Sequence, residues 1–389
     1  MNKRVLKNIL LANHDSEKIV DITIIDNKIV EITNSKINDF ELVMMPPFID
    51  AHTHGGYGFS FENFYDLNNY EQLKKDYLEY RNKVYQEGVA RVVFSSVVAD
   101  LKSLENSFIN FMKLRKDISD QFNLAWHFEG PFISKTKKGA HDESLIIPAD
   151  FDFLNKIKEL KQNLKVVFTI AAEDSQNMSA IVKHNKDFIF SLGHSTVNEE
   201  TAKLAIKNGA KKVTHFFNAM NGYHHSTNKS LVNLILENEH NSLGKTNVEI
   251  ITDGIHIDDT VLRFIYKNVN IDNLSIVSDS LVAKGLENGN YELGTLKVKK
   301  IDGVFYLDDL SSLAGSANKY NDLLRHFKNA TSCSWSELVK LSSYNQKDVF
   351  DLDLKDVEIN ENQLNNFVLV DKDLNVDELW SKGELLYKK

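Results

Sequence analysis

Apolar positions fall along this chain in a repeating alternation. Between about residue 43 and residue 280, short runs rich in β-branched and aromatic residues alternate with helical stretches of roughly ten to twenty residues, the mark of repeated βα units and a parallel sheet. Eight such runs occur: "LVMMPPFIDAH", "ARVVFSSV", "NLAWHFEG", "LKVVFTIAAE", "FIFSLGHS", "KVTHFFNAM", "VEIITDG" and "LSIVSDS". They lack clean polar alternation, as strands covered on both faces do. Eight units in about 240 residues predict an α/β fold, a (β/α)8 TIM barrel. A doubly wound sheet is the alternative, but no GxGxxG follows the first run to support it.

The ends of the chain read differently. "IVDITIIDNKIVEI" places β-branched residues on both sides of a turn, and "NNFVLVDKDLNVDELWSKGELLYKK" has the same character. Neither piece buries a core alone, so the two are expected to pair in one small satellite β-sandwich or sheet. The expected division is residues 1–45 and 350–389 for this β domain and 46–349 for the barrel. "YELGTLKVKKIDGVFYLDD", residues 291–309, predicts a β-hairpin inserted after the eighth run, and "LAGSANKYNDLLRHFKNA" opens a helix.

Composition narrows the function. The chain has 389 residues, 42% hydrophobic and 26% charged, which fits a folded globular protein and excludes a disordered one. A net charge of −9 argues against a nucleic-acid or anionic-membrane partner. With no secretory leader and no spanning segment, the expected location is cytoplasmic. The single cysteine, Cys333, makes neither an internal disulfide nor a thiolate metal site, so any metal must be held by His, Asp and Glu.

Candidate ligands gather at the ends of the runs. His52 and His54 are spaced i, i+2, which on a strand aims both rings to one side. That motif alone is short enough to arise by chance. Other runs end in His127 and Glu129, in His194, in His215 and in Asp279. Barrel strand ends converge on one mouth, where catalysis is located. A carboxylate with two or more imidazoles there suits zinc, iron or another divalent ion. His127 reads better as a packing residue or as a partner that orients a ligand. Asp279 follows an apolar strand, where an ionised carboxylate is costly unless used, and it is the candidate acid/base.

With these residues in place, the sequence resembles the amidohydrolase superfamily and, within it, the N-acetylglucosamine-6-phosphate deacetylases. The ordered motifs are "PPFIDAHTHGG", "HFEGPFISKTKKGAH", "LGHS", "THFFNAMN", "ITDGIHI", "IVSDS" and "SLAGS". The resemblance implies that Glu129, His194 and His215 hold a principal metal and that His52 and His54 make room for a second, giving one or two zinc or iron ions per subunit. It implies substrate contacts from Ala140 and His141, with His141 also polarising the acetyl carbonyl. Asn218 and Ala219 match a phosphate-end contact, His256 a further contact, and Leu313, Ala314 and Gly315 a loop lining the pocket. Asp279 matches the catalytic base. Branches that bridge two metals with a carbamylated lysine are disfavoured, because the fourth run ends "TIAAED", with Glu173.

The implied reaction is metal-dependent hydrolysis of the N-acetyl amide of N-acetylglucosamine 6-phosphate, by a homodimer or homotetramer acting on a small amino-sugar phosphate. The chain departs from the family after "NAM". The family carries an arginine for the phosphate there, whereas this chain reads "NGYHHSTNKS", with Ser226 near that place. Lys229 or His225 are the candidate substitutes. An epimeric or unphosphorylated N-acyl amino sugar is therefore a second substrate reading, and a non-catalytic sugar-phosphate-binding protein is a third.

Overall fold

The computed structural model describes residues 2–65, 69–237, 244 and 246–389. Eight parallel strands form its centre: β1 Phe48–Thr53, β2 Val89–Ser96, β3 Asn123–Glu129, β4 Lys165–Ile170, β5 Ile189–Leu192, β6 Ala210–Val213, β7 Asn247–Ile250 and β8 Leu274–Ile276. They pair in chain order from β1 to β8, as the eight apolar runs predict. Closure comes just beyond the strand ends, where the Asp279 N–H donates to the His52 carbonyl at 2.8 Å and the His54 N–H donates to the Ser280 carbonyl at 2.9 Å. The result is a closed (β/α)8 barrel.

The period of two along each strand sorts its residues into layers. Phe94, Trp126, Phe128, Phe168 and Phe190 face the surrounding helices in the main core. Their neighbours Ala51, Val93, Ala125, Val167, Ile251 and Val277 make a separate interior cluster, closed by Val349 and Phe350. Two residues further along β3 comes His127, and two beyond that Glu129. The same alternation that fills the barrel floor with methyl groups thus delivers polar side chains to its mouth.

The helices between strands start on side-chain caps. Asp100, Asp150, Asp174, Asn198 and Asp258 each accept a backbone N–H in the first turn of the helix they precede, satisfying donors that the helix itself leaves open.

Both chain ends contribute to a separate eight-stranded sheet. Here the first apolar run is divided. Leu42–Met45 pairs with Lys3–Asn13 and with Phe367–Asp371 in that sheet, and the barrel strand begins only at Phe48. Pro46 and Pro47 lie between; lacking an N–H, they cannot extend a ladder and mark the passage from one sheet to the other. The inserted segment is a three-stranded antiparallel meander, Gly289–Leu293, Leu296–Ile301 and Val304–Leu307, one strand more than the expected hairpin. The helix expected after "LAGS" runs from Tyr320 to Thr331. Among the described residues no helix is long and apolar enough to cross a membrane.

Candidate metal centre and pocket

Glu129 ends β3 with its carboxylate buried at the barrel mouth, and imidazoles approach both of its oxygens. Oε1 lies 2.9 Å from His215 Nε2 and 3.2 Å from His194 Nε2. Oε2 lies 3.0 Å from His54 Nε2 and 3.5 Å from His52 Nε2. Asp279 Oδ1 joins the second group, 3.1 Å from His54 Nε2 and 3.5 Å from His52 Nε2. One carboxylate therefore bridges two clusters of ligand-type atoms, His194/His215 and His52/His54/Asp279.

The backbone is distorted to achieve this. His194, His215 and Asp279 have φ of 46°, 29° and 48°, a left-handed conformation that non-glycine residues adopt rarely and at a cost of about 1–3 kcal/mol each. Each stands just past the end of its strand, so the turn of the backbone swings the side chain inward over the barrel. Gly315 is required beside them: a Cβ there would lie 2.7 Å from the Asp279 carbonyl oxygen.

On two of the rings, His194 and His52, a hydrogen bond on the far side sets which nitrogen faces inward. His194 Nδ1 lies 2.8 Å from the Lys137 carbonyl, and since a carbonyl only accepts, Nδ1 carries the hydrogen and Nε2 presents its lone pair. His52 Nδ1 is held the same way by Glu249 Oε2 at 3.2 Å. His215 Nε2 and His194 Nε2 stand 3.0 Å apart, and His52 Nε2 and His54 Nε2 3.3 Å apart. Two ring nitrogens this close cannot both present lone pairs without repulsion unless a positive charge, a proton or a metal ion, lies between or beside them. A metal ion is the group that four inward Nε2 atoms and a bridging carboxylate fit, and nitrogen and oxygen donors without thiolates suit a borderline divalent cation.

Electrostatics without a metal show how strongly the pocket favours positive charge. Burial pulls the His54 imidazolium down, but hydrogen bonds to Asp279 and Glu129 outweigh it and hold its pKa up at about 9. Burial likewise works against Glu129, yet the His52 charge and the His194 and His215 hydrogen bonds hold its carboxyl well below the usual range. Asp279 is lowered too, as the His52 charge and the His54 hydrogen bond overcome its burial. His141 goes the other way. Burial, reinforced by the charge of His194, takes it down to about 3, so it is a neutral imidazole at pH 7. Its Nδ1 accepts the Val98 N–H at 3.4 Å, which leaves the hydrogen on Nε2.

The centre opens into a cavity of about 270 Å³. Ala140, His141, Asn218, Ala219, His256, Leu313 and Gly315 line it beside His54, Glu129, His194, His215 and Asp279. His256 is held by Asp253, with Nδ1 2.7 Å from Oδ2. Ala314 is buried behind the lining. His225 and Lys229 do not line the cavity: His225 is exposed and Lys229 pairs with Glu237. His127 lies between Ser95 and Thr169, with its ring edge-on to that of His52. The buried charged pair beneath the cluster, Glu249 within β7 and Lys212 within β6, is not singled out by the sequence; its signal was a charged residue inside each of two short barrel strands.

Comparison with known proteins gives the family. Residues 43–386 match the model of the Amidohydrolase family. A Caenorhabditis elegans protein named N-acetylglucosamine-6-phosphate deacetylase is 29% identical over 357 residues, covering 89% of this chain and 83% of the relative. A protein of the same name from Bacillus subtilis is 28% identical over 318 residues, covering 79% and 76%. The crystal structure of N-acetylglucosamine-6-phosphate deacetylase from Thermotoga maritima superposes with a TM-score of 0.86 at 29% identity, over 99% of this chain and 100% of that one. With a histidine- and carboxylate-lined barrel mouth and a family match spanning most of its length, the chain belongs to the amidohydrolase family.

Proposed function

We propose that this protein hydrolyses the N-acetyl amide of N-acetylglucosamine 6-phosphate, releasing acetate and glucosamine 6-phosphate. The observation that carries this reading is the Glu129 carboxylate shared between two imidazole clusters, with Asp279 beside it. Glu129, His194 and His215 would hold a principal divalent ion, zinc or iron, and His52 and His54 a second. Such an ion supplies Lewis acidity, lowering the pKa of water from about 15.7 towards 7 and polarising a carbonyl.

The remaining chemistry belongs to the side chains. Asp279, ionised at neutral pH, accepts a proton from the attacking water as the new C–O bond forms. His141 donates its Nε2 hydrogen bond to the acetyl oxygen, where negative charge develops. Asp279 then returns the proton to the nitrogen as the C–N bond breaks, so the amine leaves neutral. Ala140, Asn218, Ala219, His256, Leu313 and Gly315 hold the sugar. The same reading has the enzyme acting in the cytosol as a homo-oligomer, which light scattering at working concentration checks.

One observation favours a second substrate reading. Among the described residues no Lys or Arg lines the cavity, and Lys229 is occupied by Glu237; a phosphate there finds no described guanidinium to bind it in two places at once. Comparing kcat/KM on N-acetylglucosamine with and without its 6-phosphate decides. A clear preference for the phosphorylated sugar supports the first reading, and equal values support an unphosphorylated N-acyl amino sugar. Absence of acetate release from either, in protein shown to contain metal, overturns both.

A further inference from the structure

Beneath the metal cluster lies a charge pair that the reaction does not itself require. Lys212 on β6 and Glu249 on β7 are 0% and 1% exposed, and Lys212 Nζ lies 2.7 Å from Glu249 Oε1. Removing two charges from water is costly, and apolar residues of similar volume often serve stability as well or better. Stability therefore gives no reason for the pair, and its geometry supplies another. With Oε1 held by the ammonium, Oε2 is directed at His52 Nδ1, 3.2 Å away, and the His215 backbone N–H reaches that same oxygen at 3.4 Å. Glu249 thus touches one ligand from each half of the cluster.

His52 depends on that contact for its orientation. Its Nε2 faces His54, Glu129 and Asp279 at 3.3–3.5 Å, a crowded arrangement of ligand atoms that does not fix the ring. The His127 ring meets it edge-on, with centroids 4.6 Å apart, which limits tilt without choosing a tautomer. A carboxylate on the far nitrogen of an imidazole does both.

Resting on the reading of this cluster as a metal centre, we infer that the buried Lys212–Glu249 pair is a positioning device for His52 and decides whether a second ion binds. Lys212 faces one oxygen of Glu249, and Glu249 supplies the aim through the other. Neither touches substrate; both are positioning residues.

The test is metal uptake, which needs no substrate. The full-length chain is stripped with chelator and titrated with Co(II), with stoichiometry, affinity and visible absorption recorded and the fold checked by circular dichroism. Two double variants are compared, Lys212→Met/Glu249→Gln and Lys212→Met/Glu249→Met. Both remove the charges, and only the first retains an acceptor for His52 Nδ1. The wild type is expected to take two ions. The Met/Met protein keeps the first and binds the second roughly 10–100-fold more weakly, the usual loss when such a partner is removed. The Met/Gln protein recovers most of that loss. Glu249→Asp keeps the charge pair and shortens the arm by one methylene, and serves as the second variant where Met/Met does not fold; it too weakens the second ion. Unchanged second-ion affinity in Met/Met or in Glu249→Asp overturns the inference, as does a Met/Gln protein no better than Met/Met. A wild type that takes one ion overturns it while leaving the deacetylase reading intact, and one that takes none overturns the metal centre itself.

Discussion

Replacing Asp279 by Asn changes one oxygen for nitrogen and removes a proton acceptor from the centre of the site. In the wild type Asp279 Oδ1 stands 3.1 Å from His54 Nε2 and 3.5 Å from His52 Nε2, and none of the contacts between Glu129, His194 and His215 passes through it. The amide therefore leaves the His194/His215 half whole while withdrawing charge from the His52/His54 half. A positioned acid/base contributes typically 10²–10⁴-fold. Because the proposed role has this one carboxylate take the proton in the first half of the reaction and return it in the second, we place the loss in kcat at the upper end, about 10³–10⁴-fold, which is about 4–5 kcal/mol at 1.36 kcal/mol per factor of ten. KM should change by no more than a few-fold, since the sugar is held by other residues. Acetate release measured beside elemental analysis of the same preparation separates the outcomes. A variant within tenfold of wild-type kcat, or one stripped of all metal, refutes the assignment of Asp279 as proton carrier.

Further outcomes are expected elsewhere. Converting His52 and His54 together to Ala should lower metal content without emptying the principal site, because His194, His215 and Glu129 Oε1 remain in mutual contact; elemental analysis after dialysis reads it. Phe94→Ala opens a cavity where a wholly buried ring meets Phe59, Phe64, Tyr80 and Trp126 and should cost about 3–5 kcal/mol in a denaturant titration. In the satellite sheet, burial would raise the Glu378 carboxyl, but hydrogen bonds from Arg4, Trp380 and Lys388 outweigh it and hold it below the usual range. A depressed carboxyl adds stability that is fully present above its unfolded-state pKa, ordinarily about 4.3, and lost as pH falls through the folded-state value. Glu378→Gln should therefore flatten the acid side of the melting-temperature profile and leave its slope at neutral pH unchanged.

Much of this was legible in the chain because barrel strands announce themselves by continuous apolar runs and because ligands sit where those runs stop. Glu129, His194, His215 and Asp279 each stand at or just beyond a strand end, and His52 and His54 share a face through their spacing. The break at Pro46 and Pro47 was present in the letters, but an unbroken apolar run concealed that its two halves serve different sheets. His225 and Lys229 follow "NAM" closely in sequence, yet the chain from Gly222 to Asn228 turns outward and is exposed, so nearness in sequence gave no nearness to the pocket. Lys212 and Glu249 were visible as charges within two of the eight runs. Their partnership required knowing that β6 and β7 are neighbours, and aiming it at His52 required the closed barrel. The tautomer of His141 depends on an N–H from Val98, a contact across 43 residues that no local pattern encodes.

Closure of the barrel has a consequence for how the protein becomes active. The backbone bonds that join its two ends are made by the residues carrying His52, His54 and Asp279, and Thr53 and Ser280, which meet at 2.9 Å, are 227 residues apart in the chain. Bringing such distant segments together must await nearly the whole intervening sequence. A nascent chain that stops short of residue 279, or either piece of a chain clipped between these points, therefore carries only part of the cluster. Catalytic competence arrives with the last turn of the ring, so activity itself reports that the barrel has shut.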